Sequence, residues 1–162
     1  MTEISDLMLK EKDPMKLNMS GISAWVFDLD NTIYPASQSL FPRVANRMID
    51  WIEQRLNLNR KLAEELKNRL FLEYGTTMNG LSVEYSVDPE DFLSYVHDID
   101  LSDISYDEEL DKGIYALPGK KFIYTNGTVM HATRILEAFG IAHHFELIFD
   151  IFASNHLPKP AM

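Results

Sequence analysis

Two carboxylates near the beginning of the chain have a spacing that could support chemistry. Asp28 and Asp30 follow Ala24-Trp25-Val26-Phe27, an apolar run that predicts a strand. Side chains alternate along an extended chain, so both carboxylates would point the same way if the chain stays extended. At the carboxyl end of a strand in an open α/β sheet, they could hold a cation and a phosphate. The pair is also compatible with an ordinary acidic loop, so its meaning depends on the residues downstream.

Two further polar segments follow later in the chain. Lys121-Phe122-Ile123-Tyr124 predicts a second strand, which runs into Thr125-Asn126-Gly127-Thr128, a polar turn that opens a helix. A hydroxyl and backbone amides in such a turn suit phosphate oxygens. Lys159 lies between two prolines, which limit its backbone and could hold its ammonium near a phosphate and a carboxylate. Asp, Thr and Lys thus come in order from three successive loops.

These three motifs resemble the haloacid dehalogenase superfamily, whose motifs are Asp-x-Asp-x-Thr, then Thr or Ser after a strand, then Lys. The resemblance spans residues 22 to 160. Within the superfamily, Asp-Leu-Asp-Asn-Thr-Ile-Tyr, with Asn31 where many members have Gly, is similar to the pyrimidine 5′-nucleotidase group. The stretches Tyr74 to Leu81 and Asp91 to Asp100 are similar to the insert of that group.

The resemblance implies a role for each motif residue. Asp28 would be the nucleophile that forms an aspartyl-phosphate, and Asp30 would protonate the leaving alcohol and later deprotonate water. Mg²⁺ would be held by the Asp28 carboxylate and the main-chain carbonyl of Asp30, because this hard cation prefers oxygen ligands. Thr125, the Asn126 backbone and Lys159 would hold the remaining phosphate oxygens. The implied partner is a small phosphorylated metabolite, a nucleoside monophosphate above all.

The resemblance also implies an α/β fold, with a haloacid-dehalogenase-like Rossmannoid parallel sheet and an inserted all-helical cap of type C1. Three strands are expected near 24–28, 121–124 and 147–151, as neighbours in the order first, second, third. Lids of this kind exclude water and select substrate. The expected organisation is an N-terminal tail over 1–20, a core over 21–36 and 112–162, and a cap over 37–111.

The segment between the first two motifs reads as helical. Apolar residues recur there at three- and four-residue spacing, Gly75 is a predicted helix stop, and Asp88-Pro89 is a predicted helix start. The side chains predicted to face inward are Phe41, Val44, Met48, Trp51, Ile52, Leu56, Leu62, Leu66, Leu70, Phe92, Leu93 and Val96.

Three residues of this segment are candidates for substrate contact. Tyr74 and Asn79 could contact a base or sugar, although the residues between them could equally form a simple turn. His97 could reach a substrate from the cap, but a structural role is favoured for a single histidine.

The fourth motif of the superfamily supplies further aspartates to Mg²⁺ after the lysine, and this chain stops at Met162. Asp150 precedes Lys159 and is not at the fourth-motif position. The sequence is therefore interpreted as C-terminally truncated, with an incomplete sheet. The expected consequences are weak Mg²⁺ binding, low turnover, and self-association or dependence on a missing C-terminal piece.

Composition narrows the classes of partner. The chain has 162 residues, 25 of them acidic and 15 basic, for a net charge of −10, which argues against nucleic acid and anionic membranes. There is no cysteine for disulfides, and residues 1–20 resemble neither a signal peptide nor a membrane span, so a cytoplasmic location is expected. His143 and His144 are adjacent in sequence, so a shared metal ion is not expected there.

Three interpretations remain open at this stage. The first is a Mg²⁺-dependent phosphatase for pyrimidine nucleoside monophosphates. The second is a capped phosphatase for a sugar phosphate or phosphoglycolate. The third is an inactive remnant or interaction module that keeps a phosphate pocket.

Overall fold

A three-stranded parallel sheet lies at the centre of the computed structural model, which describes residue 19 and residues 21 to 159. The strands are β1 (Ala24–Phe27), β2 (Lys120–Tyr124) and β3 (Leu147–Phe149), in the order β1-β2-β3. Ala24 lies opposite Lys120, and Phe122 lies opposite Leu147. The prediction of an α/β chain with three parallel neighbours is confirmed. The predicted N-terminal tail, apart from residue 19, lies outside the described residues, as does Pro160.

Six α-helices connect these strands in the described part of the chain. Between β1 and β2 lie α1 (Leu40–Leu56), α2 (Arg60–Tyr74), α3 (Thr77–Tyr85), α4 (Pro89–Val96) and α5 (Glu108–Ala116), and between β2 and β3 lies α6 (Val129–Ala138). Short 3₁₀ turns occupy Ala36–Gln38 and Ala142–His144. The sequence-based boundary between residues 111 and 112 falls inside α5.

Local signals explain where the helices of the 40–96 segment begin and end. Asp88 accepts a hydrogen bond from the amide of Glu90, and Pro89 occupies the first position of α4. Pro is favoured there because the first amide of a helix has no partner within the helix. Gly75 ends α2 with a φ of +78°, a conformation that glycine adopts without strain. Both predicted boundaries are confirmed.

Helices α1 to α4 contribute many side chains to the single apolar core of the described residues. Most side chains predicted to face inward are buried or half-buried, but Phe41 and Leu62 are exposed, so the prediction was wrong for these two. Because an α-helix has 3.6 residues per turn, residues four apart gradually leave the buried face, and Leu62 falls at its edge. Ala63 takes its place in the core, fully buried.

The sheet has an exposed edge at β1, where the side chain of Val26 is 66% exposed. Apolar edge strands favour association with other chains. Self-association of this chain stays a prediction. Among the residues that the structure describes, no helix has the length and apolar character needed to cross a membrane.

We expect the Leu70→Ala and Leu72→Ala substitutions on α2 to have very different effects. Leu70 is 0% exposed and packs against Gly80 of α3, whereas Leu72 is 80% exposed. Because truncation leaves a cavity only at the buried position, Leu70→Ala should lower the free energy of unfolding by about 2–5 kcal/mol. Leu72→Ala should change it by less than about 0.5 kcal/mol. Equal shifts in urea denaturation would contradict the packing described here.

Candidate functional site

A lysine ammonium joins the carboxyl ends of β1 and β2. Lys159 Nζ donates to Asp28 Oδ1 at 2.5 Å and to the main-chain carbonyl of Tyr124 at 2.5 Å. Asp28 is the first residue after β1, and Tyr124 is the last residue of β2. The structure therefore brings together Asp28 and Lys159, which are 131 residues apart.

The side chain of Asn126 holds the backbone of Lys159 in place. Its Oδ1 accepts from the Lys159 amide at 2.8 Å, and its Nδ2 donates to the Lys159 carbonyl at 3.5 Å. Sequence reasoning assigned a role to the Asn126 backbone alone. The structure adds a positioning role for its side chain.

Thr125 is buried in the turn that follows β2. Its main-chain amide donates to the Phe149 carbonyl at 3.0 Å, which joins the turn to β3. Its Oγ1 accepts from the Gly127 amide at 2.9 Å, and this bond leaves the hydroxyl proton free to be donated. A Cβ at Gly127 would stand 3.1 Å from the His131 ring, so the tight turn favours glycine.

Asp28 and Asp30 both line one cavity, and Leu29 between them is fully buried. The strand ends at Phe27, and the turn that follows begins only at Asp30. The amides of Thr32 and Ile33 both donate to the Leu29 carbonyl, at 3.2 and 3.0 Å. Asp28 and Asp30 thus face the cavity while Leu29 faces the core, as alternation along the chain predicts.

Two side chains hold the carboxylate of Asp30. The Tyr34 hydroxyl donates to its Oδ1 at 2.5 Å, and His131 Nε2 lies 3.3 Å from the same oxygen. Burial alone would raise the pKa of Asp30, but the hydrogen bond and charge of His131 and the bond from Tyr34 together hold it below its usual range. Burial and the neighbouring carboxylate raise the pKa of Tyr34, which therefore remains a donor.

The ring of His131 stacks on that of His97. Their centroids are 4.1 Å apart at an interplanar angle of 16°. Burial, followed by the charge of His131, lowers the pKa of His97 to about 3, so His97 is neutral near pH 7. Arg134 of α6 donates to the carbonyls of His97 and Ile99, at 3.0 and 2.8 Å. These contacts attach the end of α4 to α6.

A cavity of about 480 Å³ separates helices α1 to α4 from the strand ends. Asp28, Asp30, Asn126 and Gly127 lie at its polar end. Its walls include Phe41, Met48, Lys67, Asn68, Phe71 and Phe92. Volumes of this size are typical of small-molecule sites.

The three residues predicted to contact substrate from the cap lie in different surroundings. His97 lines the cavity, whereas Tyr74 and Asn79 do not. The Tyr74 hydroxyl donates to Glu84 at 3.0 Å, and Asn79 Nδ2 donates to the Tyr74 carbonyl at 3.3 Å. Both side chains therefore serve the junction between α2 and α3.

Sequence reasoning missed several residues of this cavity. Tyr34 lies four residues after Asp30, and that spacing could have suggested the pair. His131 lies 101 residues from Asp30, with no local signal connecting them. Lys67 and Phe71 are four residues apart on α2, so they share a helix face that could have been considered for the cavity.

Asp150 has a structural role in the described part of the chain. Its carboxylate accepts from the amides of Val129 and Ala153, at 3.0 and 2.9 Å. Asp150 therefore holds the first turn of α6 against the end of β3.

We expect the Tyr34→Phe substitution to raise the pKa of Asp30. It removes a donor to the carboxylate, while the burial that disfavours the charged form remains. Since the folded-state pKa is lowered, Asp30 stabilises the fold above its ordinary pKa, and this contribution is lost as pH falls through the lowered value. Carbon NMR titration should show the rise in Tyr34→Phe. The exposed-tyrosine control Tyr115→Phe should show none, and equal titration curves would contradict the assigned bond.

Comparison with curated proteins finds a similar protein in yeast. No protein-family model matches the chain. The chain is similar to Phosphate metabolism protein 8 of Saccharomyces cerevisiae, with 27% identity over 170 residues. The alignment covers 98% of this chain and 49% of the yeast protein. The chain thus spans about half the length of the curated relative that it matches.

Proposed function

We propose that this chain is part of a Mg²⁺-dependent phosphomonoester hydrolase of the haloacid dehalogenase type, acting on pyrimidine nucleoside monophosphates. The observation that carries the proposal is the Asp28–Lys159 contact beside the Thr125 turn, at the polar end of the cavity. A nucleophile, a cation and backbone donors at one point are what phosphoryl transfer requires.

Asp28 is the nucleophile in this proposal. Its side chain is 47% exposed, so an entering phosphate can reach it. A carboxylate oxygen forms a bond to phosphorus while the bond from phosphorus to the leaving alcohol oxygen breaks. Lys159, the Thr125 hydroxyl and the Asn126 backbone amide face the charge that develops on the phosphoryl oxygens. Water then attacks phosphorus, which releases phosphate and restores Asp28.

Asp30 is the acid and base in this proposal. The bonds from Tyr34 and His131 orient its carboxylate and favour its ionised form, which suits proton removal from the attacking water. A substrate phosphate brought close would favour the protonated form by like-charge repulsion. The same group can therefore donate a proton to the leaving alcohol in the first step.

The oxygen donors at the end of β1 fit Mg²⁺. The Asp28 carboxylate and the main-chain carbonyl of Asp30 would hold the ion, because a hard cation prefers oxygen ligands and substrate phosphate. Bound there, the ion would neutralise charge on the transferring phosphoryl group.

The walls of the cavity favour a nucleotide over a smaller phosphate ester. Phe41 and Phe71 offer exposed rings on which a base can stack, and Lys67 and Asn68 offer donors on the same side. A sugar phosphate or phosphoglycolate would leave these rings without a partner. The yeast relative bears the name of a phosphate metabolism protein, which agrees with the proposed chemistry.

We expect the Asp28→Asn substitution to remove phosphatase activity. Hydrolysis of UMP and CMP with Mg²⁺ should fall by at least about 10³-fold, because an amide cannot form the intermediate. Acid quenching of the unchanged chain during turnover should trap phosphate on Asp28, as detected by peptide mass spectrometry. Asp91→Asn, which removes an exposed carboxylate paired with Arg55, serves as the control with unchanged turnover.

Absence of both turnover and trapped phosphate in the unchanged chain would contradict the proposal. That outcome would favour the interpretation as an interaction module with a phosphate pocket.

We expect the Phe71→Ala substitution to distinguish the two classes of substrate. Loss of a base-stacking ring costs about 1–3 kcal/mol, so KM for UMP should rise roughly 5- to 150-fold. KM for phosphoglycolate should stay within about twofold, because that molecule has no base. Leu72→Ala changes the neighbouring exposed residue and should alter neither value. Equal effects of Phe71→Ala on both substrates would contradict the nucleotide assignment.

A further inference from the structure

Three side chains with metal-binding atoms converge at a second place in the fold. Asp111 lies on α5, and His143 and His144 lie on the 3₁₀ turn after α6. One ligand atom from each lies within 4.8 Å of the other two. Asp111 Oδ1 is 2.6 Å from His144 Nε2 and 3.6 Å from His143 Nε2.

This cluster is separate from the cavity that holds Asp28. The turn that carries His143 and His144 precedes β3, so it lies near the amino ends of the strands. Asp28 and Thr125 follow their strands and lie at the carboxyl ends. None of the three cluster residues lines the cavity.

The adjacency of the two histidines does not prevent them from sharing a ligand. Sequence reasoning expected no shared metal ion, because His143 and His144 are consecutive. In the 3₁₀ turn their rings lie 4.0 Å apart, tilted by 42°, and both Nε2 atoms face the same oxygen of Asp111. The reach of the imidazole ring compensates for the backbone spacing, so adjacency in sequence does not by itself prevent a shared ion.

The carboxylate of Asp111 is held by a group outside the cluster. The Tyr106 hydroxyl donates to its Oδ2 at 2.7 Å, which leaves Oδ1 directed at the two histidines. The Tyr106 ring packs against Gly140, where an added Cβ would stand 2.5 Å from the ring. Metal-binding carboxylates are commonly oriented by such outer hydrogen bonds.

Burial and charge also suit a cation. The side chain of His144 is 8% exposed and that of His143 is 64% exposed, so the cluster has a fixed inner ligand and an open outer side for water. Asp107, Glu108 and Glu109 precede Asp111 on the same segment and make the approach negative. The chain carries a net charge of −10 as well.

We propose that Asp111, His143 and His144 bind one divalent transition metal ion, and Zn²⁺ is the ion that we expect. Two imidazoles and one carboxylate suit Zn²⁺ and exclude Mg²⁺, which prefers oxygen ligands alone. Bonds of about 2.0–2.2 Å in a tetrahedral arrangement place ligand atoms roughly 3.3 Å apart. The contacts of 2.6 and 3.6 Å lie on either side of that spacing, so small side-chain movements complete the site.

Zinc binding to the purified chain tests this proposal. Affinity is measured by competition with a zinc-sensitive chromophore, in Mg²⁺ concentrations that occupy sites built from oxygen ligands. The unchanged chain should bind one Zn²⁺, and His143→Ala should bind it at least tenfold more weakly. Because His143 is exposed, its truncation should leave the fold intact, which circular dichroism checks. Co²⁺ in place of Zn²⁺ should give visible absorption bands that are lost in His143→Ala.

Two matched variants distinguish direct binding of the metal ion from the general effect of negative charge on Zn²⁺ affinity. Tyr106→Phe keeps the ring against Gly140 and removes only the hydroxyl, so Zn²⁺ affinity should fall about 10- to 100-fold. Glu64→Gln removes one exposed negative charge from α2, away from the cluster, and should change affinity by less than about twofold. The proposal is overturned if the unchanged chain binds no Zn²⁺, or if folded His143→Ala binds it as tightly as the unchanged chain.

Discussion

The contact between one ammonium group and the ends of two strands determines the geometry of the candidate site. Lys159 reaches both Asp28 and the Tyr124 carbonyl, and Asn126 holds the lysine backbone. The pair is partly exposed to solvent, so its net contribution to stability is small. Its importance is positional, because it brings the chain segment around Lys159 to the point where β1 and β2 end.

Much of the fold could be predicted because its signals are local. Two short apolar runs separated by a long helical segment indicate parallel strands, since parallel neighbours need a long connection. Asp88 and Gly75 fixed helix boundaries through side-chain and backbone chemistry that operates within a few residues. The exposure of Phe41 depends instead on how helices pack over a cavity, which periodicity alone does not report.

Only part of the candidate site could be predicted, because some of its contacts join residues that are far apart in the sequence. Asp28 and Lys159 could be expected to approach each other because the loops that follow the parallel strands of one sheet share one end of that sheet. The bond between His131 and Asp30 has no local signal, since it arises only when α6 packs beside the β1 turn. On α2, Phe71 and Tyr74 are three residues apart, yet only the packing angle of the helix decides that Phe71 meets the cavity.

The attachment of α4 to α6 has a mechanical consequence. Arg134 and the stacked pair of His97 and His131 pin one corner of the four-helix layer to the sheet layer. A rigid lift of that layer would break two charge-assisted bonds and a buried ring contact together. Lys67 and Phe71 of α2 line the same cavity and take no part in these contacts. These contacts therefore restrain the helical layer at the end of α4, next to the carboxylate of Asp30.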